Sequence, residues 1–272
     1  SGGASLLLTT ELSICGYSPE DLLLRNDFCD ACAMALAELA RKTVGITLVV
    51  GGAVLTLVPP VFGIPLAAYV AIGMLLVILN GGIDLSVGSV LGLTGVFAGY
   101  LMQGVEIQSA GVILYPPVWA VVVLTLGVGA FVGLVNGVLV AYFRVPAFVA
   151  TLGSLYVARG VALLMTNGLT FNNLSGDPSF GNTGFGWLGF NRLAGIPIGV
   201  VVLAIVAIVA GILLARTAFG RWLYSSGGNA RAAELSGVPV KRVQIAVYVL
   251  SGICAAIAGL VLSSQLTSAG PT

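Results

Sequence analysis

The chain has 272 residues, of which 58% are hydrophobic and 8% are charged, and its mean hydropathy is +1.09. Soluble domains carry about 25% charged residues, so this composition excludes a soluble globular enzyme and a disordered chain. The net charge of +1 argues against a nucleic-acid binder, and a sequence without histidine offers neither Ser-His-Asp chemistry nor His-ligated zinc or haem.

Residues 1–42 are polar, whereas residues 43–272 are predicted to form one transmembrane domain. The polar segment contains a Cys-x-x-Cys motif at residues 29–32. A metal or redox site would need a fourth ligand or a thioredoxin-like βαβ unit, and neither is visible in the sequence. We therefore predict reduced, inert thiols and no metal site.

Runs of apolar residues predict the membrane spans, because a helix needs about 20 such residues to cross roughly 30 Å of hydrocarbon. The pair Pro59-Pro60 divides the first long run, since proline disfavours helix at its own position and at the one before. The sequence thus predicts an all-α transmembrane bundle of about seven spans, at residues 43–58, 61–79, 85–102, 118–142, 145–165, 196–215 and 243–262.

The span at 118–142 carries a series of glycines on one helix face. Gly129, Gly133 and Gly137 recur every four residues. Such glycines let two helix backbones approach closely. We favour packing within this chain over a dedicated dimer interface.

The loop at residues 216–242 sets the orientation in the membrane. It contains five basic residues and one acidic residue, a net charge of +4, so the positive-inside rule places it in the cytoplasm. Counting back span by span places Arg144 inside and the loop at 167–195 outside. Two basic residues depart from the inner face: Arg159 lies within a span, and Arg192 lies near the outer surface.

The segment at residues 80–89 interrupts two apolar runs with polar side chains. A carboxylate near membrane depth costs at least about 2.5–3.5 kcal/mol unless it is paired or hydrated, which makes Asp84 a candidate functional residue. The same side chain also fits the N-cap of the span that begins at Leu85. The sequence leaves both interpretations open, and they are compatible.

Within the basic loop, residues 229–236 predict a short helix. Asn229 is a good N-cap, Gly237 fits the position after the C-cap, and Pro239 prevents continuation. A helix of two turns is not stable alone in water, so it must pack on something. The support is either a partner protein or the chain's own bundle.

The loop at residues 167–195 is glycine-rich and aromatic, with zero net charge. Aromatic residues are enriched in protein interfaces and also in the interfacial layer of a membrane. We predict that Phe185 and Trp187 belong to a docking surface for a partner. Contact with the lipid surface is the alternative.

Several motifs resemble the permease subunits of bacterial ABC importers for ribose and related monosaccharides. The two most specific are GGIDLSVGS at residues 81–89 and the run from GGN to LSG at 227–237. The others are AIGM at 71–74, NG at 136–137, VPAFVATLG at 145–153, ARG at 158–160, YVLSG at 248–252 and SAGPT at 268–272. Residues 1–42 do not match the start of that family, and its members continue beyond this chain with further helices. This favours the hypothesis that the chain is a fragment.

The resemblance implies a multi-pass permease of the bacterial inner membrane that is a transport subunit and not an enzyme. It implies no catalytic residue, metal or cofactor in this chain; a separate subunit uses ATP, which agrees with the lack of a Walker A motif. The implied partners are ABC ATPase subunits, a second permease copy and a periplasmic sugar-binding protein, together with membrane lipid. Nucleic acid is not among them. We predict that the binding protein docks on Phe185 and Trp187.

The resemblance also implies two groups of site residues in this chain. The implied coupling helix, which seats on the ATPase, comprises Gly228, Asn229, Ala232, Ala233, Glu234, Ser236 and Gly237. We expect its two alanines to fit a cleft of the ATPase. The implied translocation or structural motif comprises Asn80, Gly82, Asp84, Ser86, Ser89 and Asn136.

The cargo is predicted to be a monosaccharide, a pentose or a hexose. A neutral polyol needs hydroxyl and amide partners, and the candidate polar lining is Ser86, Ser89, Thr94, Asn136 and Ser154. The alternatives are an ABC permease for another small solute, such as a branched-chain amino acid, a nucleoside or a signalling sugar derivative, and a stand-alone secondary carrier or channel.

Overall fold

The computed structural model describes residues 47–50, 53–56, 64–107, 111–176 and 181–271. The chain divides into two units, residues 1–64 and 65–272, and the helical bundle belongs to the second. The helices, in chain order, are α1 (Ile64–Leu79), α2 (Val87–Gln103), α3 (Val118–Ala141), α4 (Ala147–Thr166), α5 (Trp187–Phe190), α6 (Ile198–Arg216), α7 (Ala218–Gly228), α8 (Ala230–Leu235) and α9 (Val240–Leu266).

The strands within the described residues are short and pair antiparallel in twos. The pairs are β1 (Thr47–Val50) with β2 (Ala53–Thr56), β3 (Val105–Ile107) with β4 (Val112–Leu114), β5 (Phe171–Asn172) with β8 (Ser268–Ala269), and β6 (Arg192–Leu193) with β7 (Ile196–Pro197).

The predicted membrane span at residues 43–58 is wrong in the part that the structure describes. Strands β1 and β2 pair there, in a register that runs from Thr47 opposite Thr56 to Val50 opposite Ala53. The local sequence gives the reason, because valine and threonine favour strands and a Gly-Gly pair separates the two halves. Hydrophobicity alone does not distinguish helix from strand in such a short apolar run.

The other six predicted spans are helical. Helices α3, α4, α6 and α9 are long and apolar enough to cross a membrane, and α1 and α2 are apolar but shorter. The all-α membrane bundle is therefore confirmed, and the count of seven spans is confirmed only in part. Helix α9 is the most enclosed of the long helices: 61% of its most apolar stretch is buried, against 11–22% for the other three.

Contacts at the helix ends agree with the predicted alternation of direction. At one end, the Ser226 hydroxyl in the basic loop donates to Asn80 Oδ1 after α1 (2.9 Å). At the opposite end, Gln103 Nε2 donates to the Asn172 carbonyl (2.6 Å), and β5 pairs with β8. The end that carries the basic loop is the cytoplasmic end by the positive-inside rule.

Helix α3 packs against α9 at close range through glycine. A Cβ atom added at Gly133 would collide with the Tyr248 carbonyl, and one added at Gly252 would collide with the Gly129 carbonyl. This approach is possible because no side chain separates the two backbones. The prediction that the glycine series serves packing within the chain is confirmed.

Replacing Gly133 by valine should therefore destabilise the bundle. The added side chain has no space against α9, and overpacking of this kind costs about 1–3 kcal/mol. We expect a lower thermal midpoint and a lower yield of monodisperse protein in detergent, measured by fluorescence-detected size-exclusion chromatography after heating.

Gly127→Val is the matched control, because Gly127 lies on the same helix and a Cβ there meets nothing within 4 Å. Equal thermal midpoints for the two variants would contradict the assigned packing.

Candidate functional site

The polar segment between α1 and α2 begins with a glycine turn. Gly81 has a φ of +76°, and its amide donates to the Ile78 carbonyl (2.9 Å), while the Gly82 amide donates to the Val77 carbonyl (3.0 Å). This is a Schellman motif, which satisfies the last carbonyls of α1 and ends the helix. The chain then stays non-helical until α2 begins.

Asp84 lies in this segment and is only 4% exposed. Its Oδ1 accepts hydrogen bonds from the Ser86 amide (3.0 Å) and the Ser86 hydroxyl (2.6 Å), and its Oδ2 accepts from the Ser251 hydroxyl in α9 (2.9 Å). The N-cap of α2 is Ser86 itself, so the expectation that Asp84 is the N-cap is wrong by two positions. The carboxylate instead fixes the residue that precedes the helix.

Two further side chains extend the cluster to α3 and α4. Asn136 Nδ2 donates to the Ser86 hydroxyl (3.0 Å), and the Ser154 hydroxyl donates to Asn136 Oδ1. The resulting chain of hydrogen bonds joins Ser154, Asn136, Ser86, Asp84 and Ser251. We call these five residues the polar cluster. It connects four helices of the bundle at one level.

The polar cluster lies within the membrane-spanning part of the bundle, where four of its residues are buried and Ser154 is half-buried. Ser154 is seven residues from the cytoplasmic start of α4, or about 10 Å, and Ser251 is eleven residues into α9, or about 16 Å. Among the described residues, no Lys or Arg forms an ion pair with Asp84. Three hydrogen-bond donors therefore replace the water that the carboxylate loses. These hydrogen bonds offset the free-energy cost of burying a charge.

Of the motif residues predicted from the sequence, the structure brings Asp84, Ser86 and Asn136 together, whereas the other candidates lie outside the polar cluster. Ser89 is half-buried and forms no hydrogen bond with described residues. Thr94 donates to carbonyls of its own helix, as hydroxyls in membrane helices often do.

The remaining two candidates in this segment face other neighbours. Asn80 bonds Ser226 on the cytoplasmic side. Gly82 lies so close to Tyr248 that an added Cβ would be 2.7 Å from its hydroxyl oxygen. The sequence analysis did not select Ser251 and Tyr248 as site residues. They are three positions apart, which places both on one face of α9, and this shared face is the pattern that could have indicated them.

The short helix predicted in the basic loop is present as α8. At its start, Asn229 Oδ1 accepts from the Ala232 amide (3.0 Å). At its end, Gly237 has a φ of +84°, and the Val238 amide donates to the Ala233 carbonyl (3.0 Å), which forms a second Schellman motif. The helix is therefore capped at both ends by the residues that the sequence indicated.

Helix α8 exposes most of its side chains. Arg231 and Glu234 form an exposed salt bridge (3.0 Å), which contributes little stability, and Leu235 is 76% exposed. Ala232 is exposed too, but Ala233 is 5% exposed and packs against its own chain. The expectation that both alanines fit a partner's cleft needs correction, since only Ala232 faces outwards.

Helix α7, which the sequence did not predict, holds α8 to the bundle. Its Leu223 is fully buried among apolar residues of α1 and α9, and its Ser226 bonds Asn80. A Cβ at Gly227 would collide with the Leu79 carbonyl, so α7 lies directly against the end of α1. Apolar residues of α7 recur at helical spacing, which is the signal that could have found it.

The structure separates the two aromatic residues of the predicted docking surface. Phe185 is 1% exposed and packs in a core cluster with residues of α2 and α3, and its carbonyl accepts from the Ser264 hydroxyl (2.7 Å). Trp187, the first residue of α5, is 53% exposed. Only Trp187 stays a docking candidate, because a buried ring cannot contact a partner.

No group of three or more His, Cys, Asp or Glu side chains in the described ranges is placed to hold a metal ion. Cys254 in α9 is a buried free thiol. The Cys-x-x-Cys motif and the polar segment 1–42 lie outside the described residues.

A transmembrane bundle with a buried polar cluster and a capped cytoplasmic helix has a match among known families. The family described as branched-chain amino acid transport system / permease component matches residues 60–272. The chain belongs to this permease family. The predicted resemblance is thereby confirmed, and the matched region contains the polar cluster and α8.

Several curated relatives of this permease are sugar permeases by name. The ribose import permease protein RbsC of Escherichia coli K12 is 42% identical over 205 residues, which cover 75% of this chain and 60% of the relative. The fructose import permease protein FruG of Bifidobacterium longum is 35% identical over 215 residues, covering 74% and 57%. The galactofuranose transporter permease protein YtfT of Escherichia coli K12 is 38% identical over 205 residues, covering 74% and 54%.

The permease chain spans about three fifths or less of the length of these relatives. No solved structure matches it.

Removing one donor of the polar cluster should destabilise the permease. Ser251→Ala leaves Asp84 Oδ2 without its partner, and losing a hydrogen bond to a buried charged group costs about 1.5–3 kcal/mol. We expect a lower thermal midpoint of the purified protein. Ser89→Ala is the control and should stay within about 0.5 kcal/mol of wild type. Equal stability of the two variants would refute the role of Ser251.

Proposed function

We propose that the chain is the membrane-spanning subunit of a bacterial ATP-driven importer for a monosaccharide. The observation that carries this proposal is α8: a doubly capped cytoplasmic helix that exposes Leu235 and is fixed to the bundle through α7. Residues that anchor protein interfaces are typically buried in a pocket of the partner. An exposed leucine on an ordered helix is suited to this role. The proposed partner is an ATPase subunit, since the chain contains no phosphate-binding loop.

The proposed path of coupling runs from α8 to the polar cluster. Movement of α8 would displace α7, which contacts the end of α1 through the Ser226–Asn80 hydrogen bond and through Gly227. Asn80 is four residues before Asp84, in the non-helical segment that precedes α2. The segment therefore joins the cytoplasmic helices to the hydrogen bonds that hold α2, α3, α4 and α9 together.

The proposed cargo is a neutral sugar delivered by a periplasmic binding protein, with ATP hydrolysed by the partner subunits and a second permease copy completing the pathway. Ribose, fructose and galactofuranose permeases among the relatives support a sugar over other solutes. The family description names branched-chain amino acids, so leucine is the competing cargo. A secondary carrier is the competing mechanism, but the Asp84 carboxylate is enclosed by three donors and offers no open ion site.

The subunit, purified with its partners and reconstituted into liposomes, should import a labelled monosaccharide only when ATP is supplied. We expect uptake of at least one of ribose, xylose and galactose, and none of leucine. Leu235→Asp should lower ATPase co-purification and sugar uptake by about tenfold or more, because it places a charge in the proposed contact.

Lys241→Gln is the control for Leu235→Asp, since Lys241 contacts the ring of Tyr142 on the same chain and should leave both quantities unchanged. Uptake that persists without ATP while an ion gradient is present would overturn the proposal. Uptake of leucine alone would overturn the sugar assignment only.

We also propose that Trp187 contacts the binding protein at the outer end of the bundle. Trp187→Ser should lower the stimulation of ATPase activity by the sugar-loaded binding protein about fivefold to tenfold, because exposed tryptophans often dominate interfaces. Basal ATPase activity measured without the binding protein serves as the internal reference.

Trp119→Ser is the matched control for this docking prediction. Trp119 is 71% exposed near the start of α3, at the same end of the bundle, and belongs to the interfacial aromatic layer. Identical stimulation in wild type and both variants would mean that Trp187 only meets the lipid surface.

A further inference from the structure

One side of α4 is packed in the bundle and the other side is open. The packed side presents Ala158 and Ala162 to α2. The open side carries Gly153 and Gly160, at which an added Cβ meets nothing within 4 Å, and Tyr156, which is 67% exposed. The same side also exposes large apolar side chains, among them Val157 and Leu164. What distinguishes it from an ordinary lipid-facing surface is a charged residue.

Arg159 lies on this open side of α4. It is exposed and forms no hydrogen bond or ion pair with the residues that the structure describes. It is twelve residues from the cytoplasmic start of α4 and seven from its outer end, or about 18 Å and 10 Å. A charge at this depth costs at least about 2.5–3.5 kcal/mol in lipid, so the side chain requires water or a polar partner.

The direction of α4 makes it difficult for the Arg159 side chain to reach the nearer membrane surface. Side chains on an α-helix tilt towards the helix N-terminus, which for α4 is the cytoplasmic end. The Arg159 side chain is therefore directed away from the outer surface, where it would reach water by the shorter route. Snorkelling, which relieves charges near helix ends, is disfavoured here by geometry.

A dry interface with a second copy of this chain does not supply a partner for Arg159. The acidic side chain that the structure places at membrane depth, Asp84, is enclosed and fully hydrogen-bonded. Two copies of Arg159 meeting across a two-fold axis would repel each other. Charge complementarity therefore favours a water-filled surface over a contact between two copies of this chain.

We propose that the open side of α4 lines the water-filled translocation pathway, where Tyr156 and Arg159 bind the hydroxyl groups of the passing neutral polyol. This proposal rests on the proposed function and names the residues of its pathway. Tyr156 is one turn before Arg159 on the same side of α4, so both reach one solute. The guanidinium supplies five N–H donors and the phenol both donates and accepts, which suits a polyhydroxylated solute without charge.

Cysteine accessibility tests this assignment without depending on transport. In a chain whose four native cysteines are replaced by alanine, Tyr156→Cys and Arg159→Cys are introduced singly, and the subunit is kept in membranes with its partners. A charged, membrane-impermeant methanethiosulfonate reagent is applied to both membrane faces. The depth-matched control is Leu124→Cys on the exposed apolar side of α3, about 9 Å from its outer end.

The expected result is labelling of both α4 positions at least about tenfold faster than of Leu124→Cys, since a charged reagent does not enter hydrocarbon. Labelling of both α4 positions as slow as the control would overturn the proposal, because lipid or protein would then cover the face. Oxidative cross-linking of Arg159→Cys between two copies, with slow labelling, would assign the face to a dimer interface and overturn it too.

A transport measurement tests the contact with the solute. Arg159→Gln should lower the efficiency of sugar uptake about tenfold, while Leu124→Cys should leave it unchanged. Normal uptake by Arg159→Gln would overturn the sugar contact. If wild-type uptake proves independent of ATP, the proposed function fails, but the contrast in labelling between α4 and α3 still decides whether this face lines a pathway.

Discussion

The close contact between α3 and α9 is the constraint on which the polar centre of the bundle depends. Gly133 and Gly252 leave no side chain between the two backbones, and this distance places Asn136 and Ser251 around Asp84 and Ser86. Hydrogen bonds of about 3 Å weaken over a few tenths of an ångström, so a wider helix spacing would break them. The glycine packing and the polar cluster are therefore one structural unit.

Within the described residues, the bundle treats two charges at membrane depth, Asp84 and Arg159, in opposite ways. Asp84 is enclosed, and three hydrogen-bond donors, two from Ser86 and one from Ser251, replace the water around its carboxylate. Arg159 has no such enclosure and lies on the open side of α4. A satisfied buried charge holds helices in register, whereas an open charge needs a wet surface. The cost of a charge at membrane depth is thus met by hydrogen bonds within the bundle at Asp84, and by water on the proposed solute surface at Arg159.

The cytoplasmic helices give the bundle a direct connection to a soluble partner. Helix α8 is ordered by its own caps, and α7 anchors it by burying Leu223 and by bonding Asn80. Few residues separate this contact from Asp84, so little loop is present to absorb a displacement. An ATPase bound at Leu235 would act on the segment that positions α2.

The sequence by itself determined the membrane class, six of the helices and the caps of α8, because hydrophobic runs and capping residues act locally. It also singled out Asp84 as a candidate. The tertiary structure decided the rest. It paired residues 47–50 with residues 53–56 as strands, buried Phe185 and Ala233, and added α7, since burial depends on neighbours distant in sequence. It also supplied Ser251 as the partner of Asp84 across 167 positions, a pairing that no local pattern specifies.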